Sequence, residues 1–278
     1  DRASVYSAFG DRYFDVVVNF FAFNPEPMQQ DVDRLSGRVG QYVFISSASA
    51  YQTPPTRLPV TESTPLRNPF WEYSRNKIAC EDRLLAAYRD TGFPMTIVRP
   101  SHTYDPTMPP FDGGWTVVER MRQGREVVVP GDGTSLWTLT HHEDFAPAFV
   151  GLLGRQDAIG EAFHITSDEA LTWNQIYTAM AEAAGVEPRL VHVPSDAIAA
   201  ADPALGSGLL GDKSNSMVFD NTKIRSVVPG WHARIRFPQG AREIVAWHDA
   251  DPARRVVDER LDALFDDLVG RYGLPARP

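Results

Sequence analysis

Short apolar segments alternate with helical segments in the first part of the chain, and this alternation limits the possible folds more than any other feature. Three segments are short and continuously apolar, which predicts buried strands: Phe14–Phe20, Tyr42–Ser46 and Pro94–Arg99. Helices are predicted between them, at Met28–Leu35 and Trp71–Arg89. Strands that alternate with helices predict a doubly wound α/β fold, in which a parallel sheet carries helices on both faces.

Polar residues follow the predicted strands at the points where the strands end. Asn19, Ser47 and Arg99–His102 all occupy such positions. In parallel sheets of this kind the ligand binds beyond the carboxyl ends of the strands. The sequence therefore predicts a ligand site at this edge of the sheet.

Tyr73 and Lys77 form a second candidate feature, because residues four apart on a helix share one face. A nearby ammonium favours phenolate and would lower the tyrosine pKa from about 10, so that the phenol can act as a base. The alternative is structural: Tyr73 packs against the core and Lys77 is solvated. The pair alone does not decide between these two interpretations.

The composition excludes several classes of partner. The net charge of −9 disfavours a general nucleic-acid or anionic-membrane surface. Cys80 is the one cysteine, so no internal disulfide can form, and a cytoplasmic location is expected. The cluster His141–Asp144 lacks the spacing of known helical zinc motifs, and we expect no metal.

The second part of the chain is predicted as a mixture of shorter elements. The predicted helices are Thr116–Arg122, Glu143–Leu153, Thr172–Ala184 and Asp258–Tyr272, and the predicted strands are Val127–Pro130, Ala162–Ile165 and Leu190–Val193. Residues 197–213 are small and rich in glycine and show no clear pattern. We therefore make no prediction for that segment.

Five short motifs then occur in the order found in one known family. They are FISSASAY (Phe44–Tyr51), YSRNK (Tyr73–Lys77), RPSHTYDP (Arg99–Pro106), TLTHHEDFA (Thr138–Ala146) and FDNTK (Phe219–Lys223). Together they resemble the extended short-chain dehydrogenase/reductase family, the group of NAD-dependent epimerases and dehydratases. YSRNK is similar to the family's catalytic YxxxK and starts 26 residues after Ser47 (73 − 47).

The resemblance implies a fold, a cofactor and a set of site residues. It implies a Rossmann-like dinucleotide-binding domain at residues 1–165 and a smaller α/β substrate-binding domain at residues 166–278, with residues 218–223 packing back on the first. The implied catalytic residues are Ser47, Tyr73 and Lys77. Residues implied to bind the cofactor, NAD or NADP, are Asn19, Phe20, Ser46, Tyr73, Lys77, Arg99, Pro100 and His102. Substrate contacts are expected from Ser49, His102, Trp115 and Trp137.

Some of these assignments have structural alternatives. Ser47 also suits a turn at the end of a strand, and Asn19 with Phe20–Phe23 also suits a polar strand cap followed by core aromatics. By the resemblance, Tyr73 takes the proton of a substrate hydroxyl, Lys77 holds the nicotinamide ribose, and Ser47 aligns the reacting oxygen. A single polarising donor of this kind contributes about 2–4 kcal/mol elsewhere.

The sequence also departs from the family pattern at its glycine-rich loop. No G-x-G-x-x-G or G-x-x-G-x-x-G occurs, although the family uses such a loop to bind the pyrophosphate. We expect about 50 further residues upstream of Asp1, because a βαβ unit needs roughly 30 or more. Without them, the strand at Phe14–Phe20 would lack sheet neighbours.

Two further departures concern the reaction and the substrate. Ser47-Ala48-Ser49 replaces the Thr-Asp-Glu of 4,6-dehydratases, which favours epimerase or reductase chemistry. The arginines that clamp a diphosphate in sugar-nucleotide epimerases are replaced by Trp137 and, approximately, Leu210. Arg122, Arg125 or Lys213 would have to substitute, or else they are solvated surface charges. In the latter case Trp115 and Trp137 form an aromatic wall for a less charged substrate.

The leading hypothesis is an NAD(P)-dependent epimerase or reductase that acts at a carbinol or carbonyl carbon of a sugar-like or nucleotide-sugar substrate. The alternative is a non-catalytic binding member of the same family that has lost dinucleotide binding, either similar to the family's plant RNA-binding branch or without its cofactor loop. A homodimer is expected, because the family often pairs through a helix bundle that includes the YxxxK helix.

Overall fold

The computed structural model describes residues 2–273 and contains a mixed set of helices and strands. The helices are α1 (Arg2–Phe9), α2 (Pro25–Leu35), α3 (Glu72–Thr91), α4 (Trp115–Arg122), α5 (His142–Leu152), α6 (Trp173–Ala183), α7 (Ser195–Ala201), α8 (Pro203–Gly208), α9 (Thr222–Val227), α10 (Phe237–Asp249) and α11 (Glu259–Tyr272). The strands are β1 (Phe14–Asn19), β2 (Val39–Ile45), β3 (Met95–Pro100), β4 (His102–Tyr104), β5 (Glu126–Pro130), β6 (Leu136–Trp137), β7 (Leu139–His141), β8 (Ala162–Ile165), β9 (Leu171–Thr172) and β10 (Arg189–Val193). Short 3-10 turns occur at Ala48–Ala50, Gln156–Ala158 and Pro252–Arg254, and a π-helical turn occurs at Leu209–Lys213.

A four-stranded parallel sheet forms the centre of the first part of the molecule, in the order β1-β2-β3-β8. The predicted α/β fold with a parallel sheet is therefore confirmed. Among the described residues, β1 pairs with β2 alone and forms one end of the sheet. The expectation of a βαβ unit upstream of Asp1 stays a prediction.

Each face of this sheet is covered by helices, because successive side chains on a strand point to opposite faces. Tyr42 and Phe44 of β2 pack with α2 and α3 on one face. Val43, which lies between them, packs with α5 and α9 on the other face. The alternation of one strand's side chains thus accounts for the two helical layers.

The second part of the molecule contains smaller strand pairs around a separate core. β5 pairs in parallel with β10, β4 with β7, and β6 pairs antiparallel with β9. The β5–β10 pair joins a strand of the predicted first domain to one of the predicted second domain, and the boundary at residue 165 stays a prediction. The outer ends of those domains, Asp1 and residues 274–278, lie outside the described residues.

The segment that showed no sequence pattern forms α7, α8 and the π-helical turn, and α10 had no counterpart in the predictions. Residues 218–223 do not form one element: Phe219 bridges to Val60, and α9 begins at Thr222. Across residues 2–273, no helix is both apolar enough and long enough to span a bilayer.

Candidate active site

Tyr73, Ser47 and a cavity meet at the carboxyl edge of the parallel sheet. The cavity has a volume of about 400 Å³. Its lining residues come from the ends of β2 and β3, the start of α3, and the segments around β4, β6 and the π-helical turn: Ser47, Ala48, Ser49, Trp71, Tyr73, Pro100, Ser101, His102, Thr103, Met108, Trp137, Thr138, Asp212, Lys213, Met217 and Phe219. The predicted position of the site, beyond the strand ends, agrees with this cavity.

Tyr73 lies in the first turn of α3 and lines the same cavity as Ser47. Burial raises the pKa of the Tyr73 phenol above its usual 10.0, the nearby Ser47 side chain opposes this rise, and the Asp212 carboxylate adds to it. Lys77 is not among the causes of the shift. The expectation that Lys77 lowers the Tyr73 pKa is therefore wrong, because desolvation of the phenol dominates.

A series of hydrogen-bonded hydroxyl groups connects Ser47 to Ser74 on α3. The Ser47 and Ser49 hydroxyl oxygens are 2.9 Å apart, and the Ser74 hydroxyl donates to Ser49 over 2.7 Å. Ser74 is fully buried next to Tyr73 on α3. This series of hydrogen bonds orients the Ser47 hydroxyl, because each of the three hydroxyl groups can both donate and accept a hydrogen bond.

Lys77 is buried beneath Tyr73, so the alternative of a solvated lysine is wrong. Its ammonium donates to the carbonyl oxygens of Ala22 and Ile45, over 3.0 Å and 2.8 Å. It also lies 4.9 Å from the ring centroid of Phe23 and 5.6 Å from that of Tyr73. Burial lowers the Lys77 pKa to about 8.

Three of the predicted cofactor residues serve structural contacts in this structure. Asn19 donates to Asp31 and Tyr42 and accepts from the backbone N–H groups of Phe21 and Ala22, so it shapes the turn after β1. Ser46 and Arg99 both donate to the buried Glu81 carboxylate. The Ser46 and Arg99 side chains do not line the cavity, whereas Pro100 does. Phe20 follows β1 and is exposed.

The predicted substrate residues divide into those that line the cavity and one that does not. Ser49, His102 and Trp137 line it, and the Trp137 indole N–H donates to His102 Nδ1 over 3.3 Å. Burial lowers the His102 pKa to about 3, so the ring is neutral. Trp115 does not line the cavity, contrary to the expectation that it contacts the substrate. Its ring instead stacks on His248 at a centroid distance of 4.3 Å.

The three candidate cations also have different positions. Arg122 pairs with Asp249, and Arg125 pairs with Asp262 and Asp266, all outside the cavity. The sequence leaves open whether Lys213 binds the substrate or is a solvated surface charge. In the structure Lys213 is largely buried in the cavity wall beside Asp212. Folding of residues 209–213 into a π-helical turn brings this pair to the site.

Sequence reasoning missed several lining residues. Trp71 lies two residues before Tyr73 in the sequence, and this closeness was the available signal. Asp212 lies more than 100 residues further along the chain, and no local pattern marked it. Phe219 begins the FDNTK motif, but that motif did not indicate a contact with the cavity. Their positions depend on tertiary packing alone.

The histidine cluster has a structural role in the described residues. His141 Nε2 lies 2.9 Å from a carboxylate oxygen of Glu243, and its Nδ1 accepts from the backbone N–H of Glu143 at the start of α5. Within residues 2–273, no three histidine, cysteine or acidic side chains are grouped to hold a metal.

The residues present fit the nicotinamide end of a dinucleotide. Ser47, Tyr73 and Lys77 supply two hydroxyl groups and an ammonium at the strand ends, the donor types that ribose and reacting oxygens require. Phe23 contacts both Tyr73 and Lys77, and the segment after β1 also exposes Phe20 and Phe21, of which Phe21 is 79% exposed. Exposed apolar surface of this kind marks binding grooves in soluble proteins. No glycine-rich pyrophosphate loop occurs in the sequence.

Comparisons with known proteins find similarity to one family over residues 31–166. The family model described as "NAD dependent epimerase/dehydratase family" matches residues 31–166. A chloroplast stem-loop binding protein of 41 kDa from Arabidopsis thaliana is 30% identical over 69% of this chain and 49% of its own length. A dTDP-glucose 4,6-dehydratase from an Actinoplanes species is 28% identical over 78% of this chain and 62% of its own length. The chain thus spans only about half to three fifths of these two relatives.

A solved structure shows the same fold. A dTDP-glucose 4,6-dehydratase from Bacillus anthracis, solved in complex with NAD, superposes with a TM-score of 0.72 at 20% identity, covering 90% of this chain and 78% of that one. A Pseudomonas aeruginosa neighbour is solved with NADPH. These ligands agree with the expected cofactor, NAD or NADP.

Proposed function

We propose that the chain catalyses dinucleotide-dependent epimerisation or reduction at a carbinol or carbonyl carbon of a sugar-like substrate, because residues 31–166 match the NAD-dependent epimerase/dehydratase family. The observation that carries this proposal is that Tyr73 and Ser47 line the same cavity of about 400 Å³ at the strand ends. Lys77, held by two carbonyl groups, lies one helical turn away. Ser47-Ala48-Ser49 offers no carboxylate for elimination, which favours this chemistry over dehydration.

In the proposed reaction, Tyr73 exchanges a proton with the reacting oxygen. A nicotinamide held by Tyr73 and Lys77 would supply the hydride acceptor or donor for the reacting carbon. In carbonyl reduction the Tyr73 phenol donates its proton to the oxygen as the carbon gains hydride; in oxidation the phenolate takes the hydroxyl proton. Ser47 donates a hydrogen bond to the same oxygen, and its hydroxyl chain to Ser49 and Ser74 holds it in place.

The direction of reaction depends on pH through Tyr73. Burial raises the pKa of the phenol, so at neutral pH it is protonated and suited to donate. Carbonyl reduction is therefore expected to be fastest near neutral pH, whereas oxidation rises with increasing pH as the phenolate forms. Lys77 holds the ribose of the dinucleotide in this scheme.

The first prediction tests Tyr73 by substitution. Tyr73→Phe should lower turnover about 100- to 10,000-fold, the usual contribution of a positioned general acid or base, and leave dinucleotide affinity unchanged. Activity is measured by the absorbance of reduced nicotinamide with a panel of nucleotide sugars and free glycosides. Product stereochemistry is followed by NMR, and the protein includes whatever residues its gene encodes before Asp1.

Tyr88→Phe is the matched control, because Tyr88 is an exposed tyrosine on the same helix. It should retain the parent activity. Equal turnover in the Tyr73→Phe and Tyr88→Phe proteins would contradict the assignment of Tyr73 as acid and base.

A second candidate function is suggested by the name of the Arabidopsis relative, a stem-loop binding protein. A non-catalytic binding role would need no proton transfer at Tyr73. The net charge of −9 favours the enzyme, since phosphate-rich partners are attracted by basic surfaces. Fluorescence anisotropy with a stem-loop RNA separates the two: salt-sensitive binding by a protein without turnover would support the second candidate. The expected homodimer and cytoplasmic location stay predictions.

A further inference from the structure

The cavity contains only one pair of opposite formal charges among the described residues that line it. Asp212 and Lys213 form this pair, with 3.4 Å between the carboxylate oxygen and the ammonium nitrogen. His102, the lining histidine, is neutral because burial lowers its pKa to about 3. The lining residues include no arginine. The cavity is therefore close to neutral overall, although it contains strong donors and acceptors.

Packing fixes this charged pair relative to the catalytic helix. The Asn68 side chain donates to the Gly211 carbonyl over 2.6 Å, and the Trp173 indole N–H donates to the Lys213 carbonyl over 3.1 Å. The Lys213 ammonium lies 5.9 Å from the ring centroid of Trp71, the residue that precedes α3. The backbone of residues 211–213 is thus held in place, and both charged side chains line the same cavity as Tyr73.

This arrangement opposes the binding of a diphosphate. A diphosphate is normally held by several cationic side chains or by bidentate arginine. Here the one ammonium is already paired, and the Asp112 carboxylate also acts on both Lys213 and Asp212. Arg122 and Arg125 are paired elsewhere. The negative charges of a bound diphosphate would therefore lie beside the Asp212 carboxylate, with no unpaired cation among the described lining residues to offset them.

Building on the proposed function, we infer that the cavity takes an uncharged polyhydroxylated substrate, a glycoside or polyol without phosphate, and that Asp212 and Lys213 select it. The Asp212 carboxylate accepts hydrogen bonds from substrate hydroxyls, and the Lys213 ammonium donates to them. Trp71, Trp137 and Met217 supply apolar walls for the C–H faces of such a molecule. Asp212 and Tyr73 line the same cavity, so the hydroxyl that Asp212 binds and the reacting carbon belong to one bound molecule.

Binding measurements on the wild-type protein test this inference without requiring turnover. Isothermal titration calorimetry is carried out with the stereoisomers of methyl glucopyranoside, with free polyols, and with uridine and thymidine diphosphate. At least one neutral compound is expected to bind more tightly than either diphosphate. The preference should persist at high salt, because the binding contacts are hydrogen bonds within a buried site.

Two variants then assign the selection to the charged pair. Asp212→Asn and Lys213→Met are each expected to weaken the best neutral ligand by about tenfold or more, since each removes a hydrogen bond to a charged group. Asp212→Asn should also tighten diphosphate binding, because it removes the repelling carboxylate. The matched controls are Asp157→Asn and Lys223→Met, which change exposed or partly exposed ion pairs outside the cavity and should leave both affinities unchanged.

Several results would overturn the inference. They are tighter binding of a diphosphate than of every neutral compound, absence of neutral-ligand binding, or neutral-ligand binding that both cavity variants leave unchanged. The outcome is independent of the Tyr73→Phe test. A protein that binds glycosides through Asp212 and Lys213 but shows no hydride transfer would reject the proposed function and retain the assignment of the ligand class.

Discussion

At the scale of single residues, burial determines the chemistry of the Tyr73–Lys77 pair. Sequence reasoning considered the attraction between an ammonium and a phenolate and expected a lower tyrosine pKa. In the structure both groups are withdrawn from water, so desolvation raises the pKa of the phenol and lowers that of the ammonium, to about 8. Two backbone carbonyl groups hold the ammonium, which therefore positions the backbone after β1 and β2 around Tyr73.

The Lys77 pKa gives a prediction about stability and pH. The pKa falls from 10.5 in the unfolded chain to about 8 in the folded protein, so the folded state binds fewer protons between these values. The free energy of unfolding of the wild type, relative to Lys77→Met, should therefore rise from pH 8 to 10.5 and be level below pH 8. Urea denaturation across this range measures the difference.

Lys223→Met is the control for that series, because Lys223 is a partly exposed lysine paired with Glu161. Subtracting a variant's free energy of unfolding from that of the wild type at each pH cancels the contribution of the buried tyrosines, because all three proteins contain them. A wild-type curve parallel to that of Lys77→Met at every pH would show that Lys77 keeps its ordinary pKa on folding.

At the scale of secondary structure elements, the π-helical turn Leu209–Lys213 completes the site by packing against the start of α3. The close approach requires glycine at position 211, where an added Cβ would lie 2.6 Å from Trp71 Cβ and 3.1 Å from Asn68 Oδ1. The sequence showed a glycine-containing segment with no periodic pattern. It did not show that this segment forms a wall of the cavity.

Gly211→Ala should therefore destabilise the protein and displace Asp212 and Lys213. Overpacking of a close contact costs about 1–3 kcal/mol, and we expect a loss of this size in the free energy of unfolding together with weaker ligand binding. Chemical denaturation and calorimetry measure the two effects. Gly208→Ala is the matched control, since the added Cβ would lie an ordinary 3.9 Å from its nearest neighbour. It should lower neither the free energy of unfolding nor the affinity for the ligand.

At the scale of the whole molecule, residues 218–220 link the late part of the chain to the parallel sheet region. The Val60 backbone N–H donates to the Val218 carbonyl over 2.7 Å, and the Asp220 N–H donates to the Val60 carbonyl over 2.9 Å. Between them, Phe219 packs its ring against Tyr51 and His164 and also lines the cavity. The site thus depends on contacts between segments far apart in sequence.

Phe219→Ala tests this dependence. Phe219 is 8% exposed, and removing a buried phenylalanine ring costs about 3–5 kcal/mol. Differential scanning calorimetry should show one transition at a lower temperature, because the two regions share this contact. Phe70→Ala, at a side chain that is 43% exposed, should leave the transition nearly unchanged. Equal melting temperatures for the two variants would show that Phe219 does not link the regions.

The sequence alone determined the fold class and the family resemblance, and it predicted a site at the strand ends. These features depend on local properties: apolar strands of limited length, helices between them, and short motifs such as YSRNK that carry their chemistry within one turn. Tertiary structure alone decided three further points. It determined the direction of the Tyr73 pKa shift, moved Trp115 out of the predicted substrate set and brought Asp212 and Lys213 into the cavity. Each depends on which side chains lose contact with water, and that is fixed only when distant segments pack together.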